Sequence, residues 1–337
     1  MCYPTPVLSA FIQFGDGRTS TDASLENLTA ALRDPKARFW VDMDHPSDED
    51  VGLLDDVFGF HPLAIEDSIQ YSQRPKIESY NHVGDALRQG YFYMVIHGPD
   101  QQTIRQQLRT KELDMFVSER YLVTIHEESM RSVEEVLNRA KADPRIVLEP
   151  GIDLLLYGIL DRLVDHYLPI LDYLREELDD LEEQALLDPT PDLLTRITVK
   201  KRELLDLRRI IGPQREVLAQ LTRGDVPFIR ESTRLYLRDV QDHLIRTVEM
   251  VELYRDLVLG ARDIYLSSVS NRLNQIMKTL TIITVIAVPL NVITGFFGMN
   301  FEHIPGLHTP LAFWTALLVM LVTVALLLML FRKIQWL

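Results

Sequence analysis

An uncharged apolar run near the carboxyl terminus, residues 280–297, constrains the fold of this chain more than any other feature. A run of this length can cross the hydrocarbon core of a bilayer as a helix. A second apolar run, residues 311–331, follows after a short connector. The two runs predict a hairpin of two spanning helices, with the first span beginning at about residue 277 and a short tail, residues 332–337, after the second.

Basic residues flank this hairpin on one side only. Arg272 and Lys278 precede the first span and Arg332 and Lys333 follow the second, whereas the connector, residues 298–310, contains no Lys or Arg. Lys and Arg are enriched on the cytoplasmic side of membrane proteins. We therefore expect a multi-pass protein of the cell (inner) membrane, with both termini in the cytosol and the connector outside.

The first span carries a polar stripe. Its members recur at three- and four-residue steps: Thr279, Thr281, Thr284, Asn291 and Thr294. Such a stripe needs a helix partner or water, and a mid-membrane amide such as that of Asn291 is costly without one. Two helices cannot enclose a water-filled path against lipid. A pore built from this span therefore requires several copies of the chain around an axis.

The charge balance favours cations as partners. The chain has 337 residues, with 49 Asp plus Glu against 35 Lys plus Arg and a formal net charge of -14. This surplus of negative charge argues against nucleic acid as a partner. The single cysteine, Cys2, leaves no intrachain disulfide and fits a reducing compartment. The expected partners are membrane lipid, divalent cations and further copies of the same chain.

Residues 1–150 have the pattern of a cytosolic α/β domain, with helices packed on a sheet. The expected strands are one within residues 1–17 and others at residues 37–42, 90–96, 113–117 and 121–125. The expected helices cover residues 24–32, 48–58 and 130–142. His61 is expected to start a helix or to lie in the core.

Helical periodicity begins at about residue 151, and residues 151–227 are expected to form a helical hairpin. Its first helix is predicted over residues 152–187, ending at Asp188-Pro189. Its second helix is predicted from Pro191 to about residue 223, with an irregularity at the Gly212-Pro213 pair.

One very long helix is predicted next. From Phe228 no proline or turn cluster interrupts the chain until Pro289, inside the first span. Residues 228–297 are therefore expected to form a single helix that leaves the cytosolic part and enters the membrane directly. Such a helix could couple cytosolic events mechanically to a pore.

The region around the connector resembles a known family. The tripeptide Gly298-Met299-Asn300, followed by Phe301-Glu302 and then Pro305 between two spans, is similar to the signature of CorA-type magnesium and cobalt channels. The resemblance covers most of the chain from about Trp40. The other segments that carry it are GFHPL (59–63), IED (65–67), QRPK (73–76), RDV (238–240), YLSSVSN (265–271) and WL (336–337).

This resemblance implies a homopentameric, funnel-shaped channel for Mg²⁺, with Co²⁺ and Ni²⁺ as further ions, in which the long helix lines the pore. It implies a selectivity filter at Gly298, Met299, Asn300 and Glu302. The implied pore-lining positions are Asn274, Met277, Leu280, Val288 and Asn291. An amide at Asn300 suits the filter, because it can hydrogen-bond hydrated Mg²⁺ without removing the tightly held water.

The same residues also have simpler interpretations. The Gly298-Met299-Asn300 segment could be a helix carboxyl-terminal cap, with Gly298 stopping the span. Met277, Leu280 and Val288 could be ordinary residues facing lipid or a neighbouring helix. If they face the axis instead, narrow apolar rings would exclude water and close the path.

A second group of candidate ligands is cytosolic. Asp239, Asp242 and His243 share one face of the long helix, at a spacing that can hold a divalent ion. The alternative is a solvated or salt-bridged face. The resemblance implies that Asp239 pairs with Asp67 of a neighbouring subunit, with Glu66 nearby, to bind a regulatory Mg²⁺ that keeps the pentamer closed.

Two other functions stay open on the sequence alone. In the connector, Gly306 replaces a common acidic residue, and His303 and His308 add ligands suited to Zn²⁺. These departures allow a zinc transporter of the same superfamily, in which a proton gradient could assist. A membrane-anchored enzyme or scaffold is the other alternative, but the sequence has no Gly-rich phosphate loop, no HExxH and no nucleophile elbow. We therefore predict a channel and not an enzyme.

Overall fold

The computed structural model of the protein describes residues 7–71, 74–80, 90–100, 109–299 and 311–336. The chain forms two compact units. The first contains Met1–Glu183 and Pro191–Ala261, and the second contains Gln184–Thr190 and Arg262–Leu337.

A mixed β-sheet forms the centre of the first unit. Its strands are β1 (Val7–Gln13), β2 (Thr19–Ser20), β3 (Arg38–Asp44), β4 (Lys76–Tyr80), β5 (Tyr91–Pro99), β6 (Thr110–Val117) and β7 (Tyr121–His126), in the order β2-β1-β3-β7-β6-β5-β4. Strands β3 and β7 pair in parallel, with Asp44 opposite His126, and the other described pairs are antiparallel. This sheet confirms the α/β prediction.

Helices make up most of the remaining described chain. They are α1 (Leu25–Arg33), α2 (Asp48–Asp56), α3 (Pro62–Ile69), α4 (Arg131–Ala142), α5 (Pro144–Leu148), α6 (Ile152–Asp165), α7 (Leu168–Leu187), α8 (Pro191–Arg223), α9 (Glu231–Phe297) and α10 (Ala312–Lys333).

Aromatic side chains dominate the core on the face of the sheet where α3 begins. Phe60, in the turn before α3, is buried and stacks on Phe116 of β6 with ring centroids 4.1 Å apart. Tyr91 of β5 lies 4.7 Å from the same Phe60 ring. Large buried aromatic side chains contribute strongly to core stability. They fix the turn between α2 and α3 against the sheet, and this anchor determines where α3 projects.

The prediction of a single helix over residues 152–187 is wrong. The structure has two helices there, α6 and α7, separated at His166 and Tyr167. Pro169 lies at the second position of α7, where its missing N–H leaves no hydrogen bond unmade, whereas in a continuous helix its ring would clash with the preceding turn. Tyr167 is buried at the break and donates a hydrogen bond to the carbonyl oxygen of His97, at 2.8 Å.

The two longer helices follow the sequence more closely. Helix α8 runs through Pro213 without ending, although an irregularity was expected there. Helix α9 is a single helix of 67 residues that contains Pro289, as predicted. It begins three residues later than expected, because Phe228 has a φ of 69° and is therefore part of the preceding turn.

Two described helices are long and apolar enough to cross a membrane. The most apolar window of α9 has a mean hydropathy of 2.1, and that of α10 has 2.6. Neither window is buried within the chain. In water such surfaces would be unstable, so the large exposed apolar area of both helices is consistent with a lipid environment. The structure therefore supports the predicted pair of carboxyl-terminal spans.

Candidate functional site

The threonines of the polar stripe on α9 are satisfied by their own helix. Thr279, Thr281, Thr284 and Thr294 each donate a side-chain hydrogen bond to the carbonyl oxygen four residues earlier, at 2.8 to 3.0 Å. This local bond is a common way to place Thr in a spanning helix. The threonines therefore need neither a partner helix nor water, and they do not by themselves indicate a pore.

Asn291 differs from these threonines. Its side chain is exposed, and it makes no hydrogen bond to any residue that the structure describes. An amide has two donors and an acceptor to satisfy, and lipid offers no partner for them. Asn291 is therefore the member of the stripe whose side chain needs hydrogen-bond partners from water or from another protein chain.

The five candidate pore-lining positions share one side of α9. At 100° per residue they fall within an arc of about 120°. All five are exposed in the single chain, with Met277, Leu280 and Val288 at 58%, 55% and 52% exposure. We call this arc the candidate pore face; its members are Asn274, Met277, Leu280, Val288 and Asn291.

Helix α10 approaches a different side of α9. A cavity of about 380 Å³ is lined by both helices, and Ile293 and Phe297 of α9 face it together with Thr315 and Val319 of α10. Ile293 is two residues from Asn291, so the two side chains point to nearly opposite sides of the helix. Val292 also lines this cavity and points in the same direction as Asn274, so the second span approaches one edge of the candidate pore face and leaves the side that carries Asn291 and Leu280 uncovered.

Helix α9 ends immediately before the signature tripeptide. The N–H of Gly298 donates to the carbonyl oxygen of Thr294 at 2.9 Å, and that of Met299 donates to Phe296 at 3.4 Å. A Cβ on residue 298 would lie 3.0 Å from the Thr294 oxygen, which is closer than such contacts normally allow. Glycine thus permits this helix end. The rest of the predicted filter, Asn300 and Glu302, lies outside the described residues, as do His303 and His308.

In the first unit, the first turn of α3 is fixed to the sheet. His61 is the amino-terminal cap of α3, as the sequence predicted, and its Nδ1 accepts a hydrogen bond from the N–H of Leu63 at 3.2 Å. The N–H of His61 donates to the hydroxyl oxygen of Tyr91 at 2.7 Å. This capping determines the position of the two acidic residues that follow on α3, Glu66 and Asp67.

Those two acidic residues have different surroundings. Glu66 is exposed and accepts a hydrogen bond from Gln70 at 3.0 Å. Asp67 is 28% exposed and contacts the ammonium group of Lys76, the first residue of β4. Lys76 also lies 3.3 Å from Glu78. Burial opposes the charge of Lys76, but the hydrogen bond to Asp67 and the charge of Glu78 outweigh it and raise the pKa of Lys76.

The other predicted ligands lie on the part of α9 that belongs to the first unit. His243 is the centre of this group: its Nδ1 lies 3.1 Å from Asp165 of α6, and its Nε2 lies 4.0 Å from Asp239. Burial and the charge of Asp165 raise the pKa of Asp161, one turn earlier on α6. The structure thus adds Asp161 and Asp165 to the predicted face, since α6 packs beside this part of α9.

A single chain does not assemble a complete metal site from these residues. Asp239 and Asp242 are both exposed, and His243 forms its ion pair on α9 with Asp239. Within the residues that the structure describes, no three His, Cys, Asp or Glu side chains are grouped closely enough to hold a metal ion. Carboxylates are nevertheless ligands that Mg²⁺ prefers, so these exposed side chains could contribute to a site that is completed by donors from elsewhere.

Comparison with known proteins identifies the family. The family described as CorA-like Mg²⁺ transporter protein matches residues 36–333. The cobalt/magnesium transport protein CorA of Thermotoga maritima is 35% identical over 309 residues, which are 91% of this chain and 85% of the relative. The chain belongs to the CorA family. Its membership makes it a membrane transporter.

Solved structures agree with this membership. The structure of the CorA magnesium transporter from Methanocaldococcus jannaschii matches this CorA-family chain with a TM-score of 0.81 at 25% identity, covering 98% of this chain and 99% of the other. The cytoplasmic domain of ZntB from Vibrio parahaemolyticus matches with a TM-score of 0.56 at 15% identity, over 78% of this chain and 97% of that domain. The second match shows a common fold only.

Proposed function

We propose that this CorA-family protein is a homopentameric channel that carries Mg²⁺ into the cytosol down its electrochemical gradient. The observation that carries the proposal is the amide of Asn291, which is exposed on a spanning helix and has no hydrogen-bond partner among the described residues. A ring of such amides around an axis would be satisfied by pore water and by hydrated cations. The side of α9 away from the cavity shared with α10 is where such an axis would run.

The proposed ions are Mg²⁺ first, with Co²⁺ and Ni²⁺ as further ions. Two relatives at 35% and 28% identity are named as cobalt/magnesium transport proteins. Entry needs no ATP in this proposal, since a membrane potential contributes ~2.3 kcal/mol per charge per 100 mV and a divalent ion carries two charges. We propose that Asn300, with Gly298, Met299 and Glu302, forms the filter on the outer side, with both termini in the cytosol.

The proposed gate responds to cytosolic Mg²⁺ through acidic residues. In each interface Asp67 of one copy would face Asp239 of a neighbour, with Glu66 and Asp242 close by. Like charges brought together repel each other unless a cation lies between them. The interfaces would therefore be tight and the pore closed when cytosolic Mg²⁺ is plentiful, and looser when it is scarce.

Ion flux into proteoliposomes that contain only this protein tests the proposal. We expect Mg²⁺ entry driven by voltage alone, with inhibition by Mg²⁺ on the cytosolic side. The variant Asn300→Ala should lose at least about tenfold of the entry rate while remaining pentameric in size-exclusion chromatography with light scattering, because the filter would lose its amide oxygens. Unchanged Mg²⁺ entry in Asn300→Ala would remove that residue from the filter.

The zinc alternative has its own signature in the same experiment. Entry of Zn²⁺ that rises with an imposed proton gradient, with Mg²⁺ inert, would place the protein in the zinc branch and direct attention to His303 and His308. The names of the relatives favour Mg²⁺ and Co²⁺. Family membership likewise favours a transporter over a membrane-anchored enzyme or scaffold.

A further inference from the structure

Lys76, the first residue of β4, lies close to side chains of α3, β4 and β5. Its ammonium group contacts the Asp67 carboxylate, lies 3.3 Å from the Glu78 carboxylate, and sits 5.4 Å from the centre of the Tyr93 ring. Lys76 and Asp67 are 27% and 28% exposed, so the pair is more shielded from water than an ordinary surface ion pair. Its geometry is therefore well defined.

The position of Lys76 bears directly on Asp67. The same carboxylate is the one that the proposed gate uses at the subunit interface. A cation already in contact with Asp67 cancels most of the negative charge that would attract Mg²⁺ and also repels the incoming ion. Metal binding at Asp67 must therefore move the ammonium group or tolerate it nearby.

We propose that Lys76 is a built-in competitor that lowers the affinity of the regulatory site for Mg²⁺. The inference rests on the proposed function, since it assumes that Asp67 is a regulatory ligand. In the absence of Mg²⁺ the Lys76 ammonium neutralises Asp67. When Mg²⁺ is present at high concentration, Asp67 turns to the ion and Lys76 stays with Glu78.

Glu78 lowers the free-energy cost of separating the Lys76 ammonium group from Asp67. It lies two residues after Lys76 on β4, so both side chains project from the same side of the strand. Removing one partner of a shielded ion pair normally leaves the other charge uncompensated. Here the ammonium retains both the Glu78 carboxylate and the face of Tyr93, because a cation also binds an aromatic face. Lys76 thus has a second set of partners that does not involve Asp67.

The competition between Lys76 and Mg²⁺ for the Asp67 carboxylate sets the Mg²⁺ concentration at which the gate closes. A site without the competitor would be filled at lower Mg²⁺, and the channel would close too early. Lys76 is thus a positioning residue and not a ligand. It acts through Asp67 on the Mg²⁺ concentration at which the gate closes. Its effect should appear in metal binding even when no ion is being transported.

The test measures Mg²⁺-dependent protection of the full-length, detergent-solubilised protein against limited proteolysis. In the variant Lys76→Gln the midpoint of protection should move to a lower Mg²⁺ concentration by roughly three- to thirtyfold, since one repelling charge is removed at close range. The matched control Lys76→Arg keeps the charge and should keep the midpoint within about threefold. Glu78→Gln should shift the midpoint the other way, because Lys76 would then depend more strongly on Asp67.

The variants Asp67→Asn and Asp239→Asn separate a failure of this inference from a failure of the gate. If both abolish Mg²⁺-dependent protection while Lys76→Gln leaves the midpoint unchanged, the gate stands and the competitor role of Lys76 is wrong. If Asp67→Asn retains the wild-type midpoint, the gate at Asp67 is wrong and the role of Lys76 falls with it. Opposite shifts in Lys76→Gln and Glu78→Gln, with Lys76→Arg unmoved, would support the competitor.

Discussion

His126 is a buried side chain held between two carboxylates at the carboxyl ends of the parallel strands β3 and β7. Its Nε2 lies 3.2 Å from Asp42 and its Nδ1 lies 3.4 Å from Asp44. Burial alone would lower the pKa of His126, but the charge of Asp42 and the hydrogen bonds to both carboxylates raise it to about 10. The imidazole is therefore a structural cation at neutral pH.

This pKa predicts how the stability of the first unit depends on pH. In the unfolded chain a histidine titrates near about 6.5, whereas folded His126 titrates at about 10. Its contribution to stability is therefore complete below about pH 6.5, declines above it and is lost as the pH rises through about 10. The variant His126→Gln should lower the thermal midpoint at pH 6.5 and flatten its fall between about pH 7 and 10. Equal slopes in the two proteins would contradict the assignment.

At the scale of secondary-structure elements, the start of α9 is tied to the start of α6. The Asp153 side chain is 4% exposed and accepts hydrogen bonds from Nε of Arg230 at 2.8 Å and from the hydroxyl of Thr233 at 2.6 Å. It also accepts from the backbone N–H of Arg230 at 3.2 Å. Burial would raise the pKa of Asp153, but these hydrogen bonds lower it. One carboxylate thus fixes the first turn of the long helix.

Replacing the Asp153 carboxylate should destabilise the first unit measurably. We expect Asp153→Ala to lower the free energy of unfolding by about 1–3 kcal/mol, because the buried hydroxyl of Thr233 loses its acceptor and the half-exposed Arg230 loses its ion pair. Arg230→Ala leaves Asp153 buried with fewer partners, so the double variant should cost less than the sum of the two single variants. Denaturant unfolding of the four proteins measures this coupling. Strict additivity would mean that the two side chains act independently.

The sequence predicted the elements that depend on local signals. Helix α9 was predictable because no proline or turn cluster interrupts it before Pro289, and His61 was predictable as a helix start because Pro62 follows it. The break between α6 and α7 was missed although Pro169 signals it. Strand β4 was missed because its side chains are mostly half-buried or exposed and its sequence, KIESY, has no run of large apolar residues.

The contacts at the candidate sites also divide into those that the sequence spacing predicted and those that it did not. The spacing of Asp239 and His243 predicted their shared face on α9, and the structure places them 4.0 Å apart. The approach of Asp165 to His243 could not be predicted, because it joins elements that are distant in the chain. Lys76 lies only nine residues after Asp67, but its approach to Asp67 depends on strand β4, which was not predicted. On α6, Asp161 and Asp165 are four residues apart, and this spacing indicates only that the two carboxylates share one face of that helix.

At the scale of the whole molecule, the role proposed for the candidate pore face requires several copies of the chain. Its residues are exposed, and the second span approaches it only at one edge, near Val292. A C₅ arrangement would bring five copies of this face together around a water-filled axis. The same face would contact only lipid if the chains did not assemble in this way. Accessibility to water from within an assembled channel therefore distinguishes the two arrangements.

Cysteine substitution offers a direct measurement, because Cys2 is the chain's single cysteine and can be removed as Cys2→Ser. In that background, Leu280→Cys places a thiol on the candidate pore face. Ile282→Cys places one about 200° around the same helix turn, at 100° per residue. A charged, membrane-impermeant thiol reagent should modify Leu280→Cys and reduce Mg²⁺ entry by at least about tenfold, since it would add bulk and charge inside the narrow path.

The Ile282→Cys control should react slowly and keep most of its Mg²⁺ entry, because a thiolate forms poorly in an apolar environment and the reagent does not enter lipid. Including Mg²⁺ at the concentration that closes the gate should slow modification of Leu280→Cys, since closed apolar rings exclude water from that level. Similar rates for both cysteines would mean that α9 does not present the proposed face to the axis. Fast modification of Ile282→Cys alone would place the pore on the opposite side of α9 and would require a different set of lining residues.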